Sequence, residues 1–305
     1  MAISAEDTGP VQGSNGNGDC IIVTAADERY FDFAREMIES VLAHRRNNVA
    51  IGFLDLGLRH DQRSWLEERN VRVASPKTLL ELGSSEPVRL EKMGYLARPF
   101  LREIFPDFSV YIWLDADTWL QDWSVIDNLA DGARARGAAM VRQNESAYGF
   151  RFDLFLWTAK HFILGYGVLP GLWLLTRPHI NNGVFAMTAD APHWREWRKR
   201  YQNAFNRTGV AAPHDQFGLN AAVYLGKIPT TFLPATHNWI CDLAAPMWSE
   251  KDDKFCAPYA PFTPISLLHL AGPAKSTTFN INTIAGAVLR GAIRFKAKRE
   301  LIRKT

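Results

Sequence analysis

Residues 110 to 119 read VYIWLDADTW, so two carboxylates, Asp115 and Asp117, follow directly on a run of bulky apolar side chains. A run this rich in β-branched and aromatic residues reads as a strand covered on both faces. Side chains alternate along a strand, so continued extended backbone would project Asp115 and Asp117 together and turn Ala116 away. Like charges that close raise one pKa unless a cation lies between them. The pattern calls for a metal or a shared proton. A second stretch, HLAGPAK, runs from His269 to Lys275 behind the apolar ISLL. A histidine at a strand end can offer neutral imidazole to a divalent cation. Gly272, without a Cβ, lets a backbone N–H approach an anion, and Lys275 adds a point charge on a flexible stem. Taken together these groups suit a metal diphosphate; taken singly, His269 reads equally as a hydrogen-bonded core histidine and Lys275 as a solvated surface lysine.

Three further stretches carry polar groups beside apolar runs. In AADERY, residues 25–30, Asp27 can accept a hydrogen bond from a base or cap the next helix. Tyr30 offers a flat face to a nucleobase, or to packing. NNGVFAM at 181–187 and HDQFGLN at 214–220 bring in Asn181, Asp215 and Gln216, which could grip hydroxyls, with helix capping as the competing role for Asp215.

The elements that must position these groups alternate between strand and helix. CIIVTA (20–25), VAIGFLDL (49–56), VRVA (71–74), SVYIWL, AAMVRQ and GVFAMT (183–188) read as strands, with TTFLPA and PISLLHL as later candidates. Helical spacing or charge marks segments after residue 31 and near 60–69, 88–105, 124–136, 193–205 and 214–224. This alternation implies an α/β fold with a largely parallel sheet flanked by helices, whose ligands sit beyond the carboxyl ends of the strands. TAAD and LDAD both lie at such ends. Residues 145–180 break the rhythm as an aromatic insertion, and no internal repeat or interdomain linker is evident.

The 305 residues are enough for one large α/β domain or two modest ones and can bury a sizeable core. Apolar content of 47% and charged content of 22% are those of a globular protein, and a net charge of +3 gives no argument for nucleic acid as a partner. Cys20, Cys241 and Cys256 are too few and unpatterned for a disulfide framework, which points to a reducing, cytoplasmic setting. Residues 1–18 lack the features of a signal peptide and read as a disordered leader. Lys160 and His161 interrupt the apolar stretch 152–177, leaving too little to span a bilayer. Residues 281–305 read as a basic helix with Val288, Ala292, Phe295 and Ile302 near one face, suited to peripheral contact with an anionic membrane.

The order AADERY, LDAD, NNGV, HDQ, HLAGPAK resembles glycosyltransferase family 8, which includes glycogenin and bacterial lipopolysaccharide galactosyl- and glucosyltransferases. The resemblance spans about Cys20 to Lys275. It implies a single GT-A domain over about 19–280, a UDP-sugar donor, Mn²⁺ and transfer of a hexose with retention. It implies Asp115, Asp117 and His269 as metal ligands. Asp27 and Tyr30 would hold uracil and Gly272 and Lys275 the diphosphate, with Ala25 and Ala116 in the nucleotide-binding stretches. Arg98 in YLARPF would sit near the phosphates and donor sugar, and Asn181, Asp215 and Gln216 around the transferred sugar. NNG stands here where the family more commonly has NAG. Carboxylate and imidazole donors fit Mn²⁺, with Mg²⁺ as the alternative. A glycan or lipid-linked glycan is the implied acceptor, and the aromatic insertion could wall its site, touch lipid or form a buried hairpin.

Two other functions fit parts of the sequence. LDADTW matches the first motif of haloacid dehalogenase-type phosphatases, which would make Asp115 a nucleophile, with Thr118 completing the motif and Lys251, Asp252 and Asp253 as later elements. A binding protein that holds a UDP-sugar without turnover is the other.

Overall fold

The computed structural model describes residues 19–46, 49–76, 90–210 and 214–298. The expected leader, 1–18, lies outside them. The chain begins with Cys20–Ala26 (β1), Phe31–His44 (α1), Ala50–Asp55 (β2), His60–Glu67 (α2) and Arg72–Ala74 (β3). Short helices at Met93–Leu96 (α3) and Leu101–Ile104 (α4) lead to Val110–Leu114 (β4) and Thr118–Leu120 (β5). Ser124–Arg136 (α5), Ala138–Arg142 (β6), Phe152–Tyr166 (α6) and Val168–Leu175 (α7) follow, then Ile180–Thr188 (β7), Pro192–Thr208 (α8) and His214–Gly226 (α9). The remaining strands are short: Thr231–Leu233 (β8), Trp239–Ile240 (β9), Met247–Ser249 (β10), Lys254–Cys256 (β11), Leu267–His269 (β12), Phe279–Asn282 (β13) and Val288–Gly291 (β14).

A seven-stranded sheet in the order β3-β2-β1-β4-β7-β6-β8 forms the centre. It is mixed, because β7 runs antiparallel to both β4 and β6 while the other pairs are parallel. Period-two alternation sorts the strand side chains into two cores. Cys20 and Ile22 of β1 and Val110, Ile112 and Leu114 of β4 pack against α1 and α5. Their neighbours Ile21, Val23, Tyr111 and Trp113 face Trp194, Trp197 and Tyr201 of α8 and Leu219 of α9. A run buried on both faces is what such a sheet demands.

The helix expected at 88–105 is broken into 3-10 and α segments, with Arg98–Phe100 as a separate turn. Pro99, with no N–H to donate, interrupts the ladder there. The basic helix expected over 281–305 begins instead as strand: β13 and β14 pair antiparallel with Ile281 opposite Leu289, both buried. Two of its cations are taken up by α1, Arg294 by Glu36 at 2.7 Å and Lys296 by Glu39 at 3.5 Å. Residues 299–305 lie outside the described residues. The insertion forms a helical hairpin, α6 and α7, but much of its apolar surface is exposed rather than buried. Among the described residues no helix is long and apolar enough to cross a membrane.

Candidate functional site: an acidic–imidazole cluster in a cleft

The apolar run does not carry extended backbone through both carboxylates, as the sequence had implied. β4 ends at Leu114, and Thr118 N–H donates to the Asp115 carbonyl at 3.0 Å, closing a turn over Ala116 and Asp117. The turn delivers the chain into β5, which pairs antiparallel with β12 so that Thr118 lies opposite His269. Leu270 N–H donates to the Asp117 carbonyl at 2.8 Å, and Asp115 N–H to the Gly183 carbonyl at 2.8 Å. Backbone pairing between segments about 150 residues apart, rather than alternation along one strand, therefore brings the imidazole to the carboxylates.

Asp115, Asp117 and His269 each offer a ligand atom within 4.8 Å of the others. His269 Nε2 lies 3.4 Å from Asp117 Oδ1 and 3.9 Å from Asp115 Oδ2. Each carboxylate's second oxygen is held elsewhere. Asp115 Oδ1 accepts from Arg98 at 2.6 Å and from the Trp113 indole at 2.7 Å, while Asp117 Oδ2 pairs with Lys275 at 2.6 Å. His269 Nδ1 meets Asn238 Oδ1 at 2.9 Å, and the Asn238 amide nitrogen donates to Asn181 Oδ1 at 3.0 Å. That orientation makes Nδ1 the donor and leaves the Nε2 lone pair facing two anionic oxygens, which is repulsive unless a cation lies between them. Two carboxylate oxygens and one imidazole nitrogen suit a divalent ion that keeps open positions for phosphate oxygens. The donor set fits such an ion.

Burial alone would favour neutral Asp117, but positive charge at the His269 side of the cluster, which a bound cation would supply while the ring stays neutral, and the Lys275 ammonium outweigh it and hold the carboxyl well below the usual range. Asp215 goes the other way: burial raises its pKa, and Arg98, 3.0 Å from its Oδ2, only partly offsets that. Arg98 is thus a buried fork bridging Asp115 and Asp215. Gly183 makes room for the cluster, since a Cβ there would sit 2.5 Å from His269 Cε1 and 2.7 Å from Asp115 Oδ2. Only glycine fits.

A cleft of about 600 Å³ surrounds the cluster and brings the expected residues together. Ala25, Asp27 and Tyr30 line it at the carboxyl end of β1, together with Arg98, Asp115, Ala116, Asp117, Asn181, Asp215, Gln216, His269, Gly272 and Lys275. Tyr30 is 45% exposed, so its ring is open to stacking. Asp27 also organises its own turn, accepting from the backbone N–H of Arg29 at 3.1 Å and of Tyr30 at 2.9 Å and from the Arg29 guanidinium. Asp215 does not act as a solvated helix cap: its Oδ2 accepts from Arg98 and from Asn182 Nδ2 at 2.8 Å, in the interior. The Gln216 amide is held at both ends, its oxygen 3.4 Å from Asn182 N–H and its nitrogen 2.7 Å from His179 Nε2. Burial lowers the His179 pKa to about 4, so the ring is neutral and accepts from that amide.

Trp113, Asn238, His179 and Trp157 escaped the sequence reading. The first three act through hydrogen bonds to residues already suspected, which no local spacing reveals; Trp157 lines the cleft from α6, inside the insertion. The phosphatase alternative receives nothing from Lys251, Asp252 and Asp253, which occupy the turn between β10 and β11 and do not line the cleft.

No protein-family model matches the sequence. A search of curated proteins also found no match. Solved structures do match. The galactosyltransferase LgtC, in complex with donor and acceptor sugar analogues, is 18% identical with a TM-score of 0.56, covering 93% of this chain and 95% of that one. The glycosyltransferase GlyE of Streptococcus pneumoniae TIGR4 is 16% identical with a TM-score of 0.52, over 92% of this chain and 59% of GlyE. The bifunctional glycosyltransferase WbbM is 14% identical with a TM-score of 0.51, over 96% of this chain and 51% of WbbM. Likeness at these identities establishes the fold, which is the GT-A fold of these glycosyltransferases.

Proposed function

We propose that the chain is a metal-dependent, retaining glycosyltransferase of the family 8 type that moves a hexose from a UDP-sugar to a glycan or lipid-linked glycan. The observation that carries this reading is the convergence of Asp115 Oδ2, Asp117 Oδ1 and His269 Nε2, with Lys275 beside them and Tyr30 at the rim of the same cleft. A metal-bound nucleoside diphosphate can use each of these features, and the cleft volume is that of a small-molecule site.

Asp115, Asp117 and His269 would hold Mn²⁺, or Mg²⁺, which when bound would neutralise diphosphate charge. Tyr30 stacks on uracil and Asp27 accepts from its edge. Gly272 and Lys275 hold the diphosphate. Transfer breaks the bond between the anomeric carbon and the departing UDP oxygen, forms one to an acceptor hydroxyl and passes that hydroxyl's proton to the departing phosphate and from there to solvent. Lys275 stabilises the negative charge left on UDP. Asn181, Asp215 and Gln216 orient the hexose, and Arg98 fixes both Asp215 and Asp115 by one rigid guanidinium. Gln216, clamped by Asn182 and His179, presents a fixed amide to the sugar.

The test is a panel of UDP-sugars with Mn²⁺ or a chelator, read by melting temperature and by UDP release. The donor should raise the melting temperature only with metal, since ligands that bind the native state stabilise it. Tight UDP binding without sugar transfer or hydrolysis would favour a binding protein instead, and indifference to every UDP-sugar would sink both.

A further inference from the structure

The α6–α7 hairpin buries one face and leaves the other uncovered. Inside, Phe162 and Leu174 pack against Phe217 and Ala221 of α9. A Cβ on Gly171 would come within 2.8 Å of Ile163 Cα, so the two helices meet backbone to backbone. Outside, Leu169 is 80% exposed, Phe152 62% and Val168 60%, with Leu164 and Leu172 near half. So many large apolar side chains exposed on one hairpin are the mark of a binding surface.

The charged groups on and beside this face bear on what it could bind. Lys160 lies on the exposed face of α6 between Leu156 and Leu164, four residues from each. The Arg177 guanidinium stacks 4.3 Å from the centre of the Trp173 ring, and Arg207 reaches the hairpin turn, donating to the Leu164 carbonyl at 3.3 Å. Between residues 152 and 177 the single acid is Asp153, which Arg151 pairs at 2.7 Å. Aliphatic and aromatic side chains interspersed with and flanked by cations complement an anionic lipid interface. With 15 and 8 residues, these helices can lie in the interface but not cross it. Trp157, 40% exposed on α6, also lines the cleft with Asn181 and Gln216, so the apolar surface runs into the candidate site.

We propose that the exposed face of the α6–α7 hairpin docks on an anionic phospholipid bilayer and that the acceptor sugar enters the cleft from that bilayer, past Trp157. The word acceptor rests on the transferase reading; the docking does not. The experiment is sedimentation of the full chain with vesicles of phosphatidylcholine alone and of phosphatidylcholine mixed with phosphatidylglycerol, beside a Leu169→Glu/Leu172→Glu variant. The wild type should bind the mixed vesicles, and the variant about tenfold or more weakly, since two leucines are lost from the lipid phase. Its melting temperature should hold, because both side chains are exposed. Lys160→Glu and Arg177→Glu should each weaken binding to mixed vesicles by about fivefold. Equal binding by the wild type and the double variant would overturn docking by the hairpin, as would failure of the wild type to bind either vesicle. A wild-type dimer that the variant dissolves, without vesicle binding, would assign the surface to a second copy instead. UDP release without vesicles is measured in parallel: its absence in wild type would sink the transferase reading and leave the docking result standing.

Discussion

The Asn238 side chain holds His269, with Oδ1 2.9 Å from Nδ1, and so turns Nε2 toward Asp117 and Asp115. Outer partners of ligating histidines fix both ring orientation and tautomer, and their loss typically weakens metal binding 10–100-fold. Asn238→Ala should therefore raise the Mn²⁺ dissociation constant by about that factor while the protein stays folded. Titration of Mn²⁺ against UDP binding would show it. An unchanged constant would mean that His269 is oriented by packing alone.

Arg98 supplies the second prediction. It is buried and bridges Asp115 at 2.6 Å and Asp215 at 3.0 Å. Arg98→Met would leave two carboxylates without their shared cation, and breaking a buried pair from one side costs about 3–5 kcal/mol. Arg98→Lys should fare little better, because one ammonium cannot reproduce a fork that reaches both. Denaturant midpoints would test this, with added Mn²⁺ expected to recover part of the loss through Asp115. Wild-type stability in both variants would show that the two carboxylates do not depend on the guanidinium.

What the sequence made legible was whatever is written locally. The unbroken apolar runs of β1 and β4 predict a sheet covered on both faces, and the DAD and H-x-x-G-x-x-K stretches name the side chains that meet in the cleft. The reason they meet was not local. Sequence alternation placed Asp115 and Asp117 on one extended strand, whereas a turn and the β5–β12 register do the positioning. Asn238 gave no signal because its role exists only once β9 lies beside β12. Pro99 was a local signal that the expectation of a helix at 88–105 passed over. The tail misled because apolar residues at 288, 292 and 295 fit a helical face, while pairing of Leu289 with Ile281 depends on a partner strand. For the insertion, composition describes a buried hairpin and an exposed one alike; only the exposure of Leu169 and its neighbours separates them.

Gly183 gives a third prediction, independent of any charge. An added methyl would come 2.5 Å from His269 Cε1, 2.7 Å from Asp115 Oδ2 and 2.8 Å from Asn181 Oδ1. The backbone cannot retreat, since Gly183 lies in β7 and its carbonyl accepts from Asp115 N–H at 2.8 Å. Gly183→Ala should cost about 1–3 kcal/mol through overpacking and also spread the cluster apart. The expected readout is a lower melting temperature that Mn²⁺ with UDP no longer raises. Normal metal-dependent stabilisation would show that the cluster has slack.

The last prediction concerns acid stability and rests on His193, away from the cleft. The ring is fully buried in the first turn of α8, and burial lowers its pKa to about 4. Its Nε2 lies 2.9 Å from the Thr230 hydroxyl, which itself donates to the Ile228 carbonyl at 3.0 Å. Nε2 is therefore the donor, and the buried Nδ1 has no partner in the structure. Protonation would place a charged N–H there without an acceptor. In the unfolded chain the same histidine titrates near 6.5. Below that pH the unfolded state binds a proton that the native state refuses, so stability falls as pH drops from about 6.5 toward 4. At pH 5 this one group accounts for about 2 kcal/mol relative to pH 7. His193→Gln keeps a donor for Thr230 and cannot titrate. Its denaturation midpoint should thus depend less steeply on pH between 7 and 5 than that of the wild type, whatever its absolute stability. Parallel curves for the two proteins would mean that His193 finds a way to charge inside the fold.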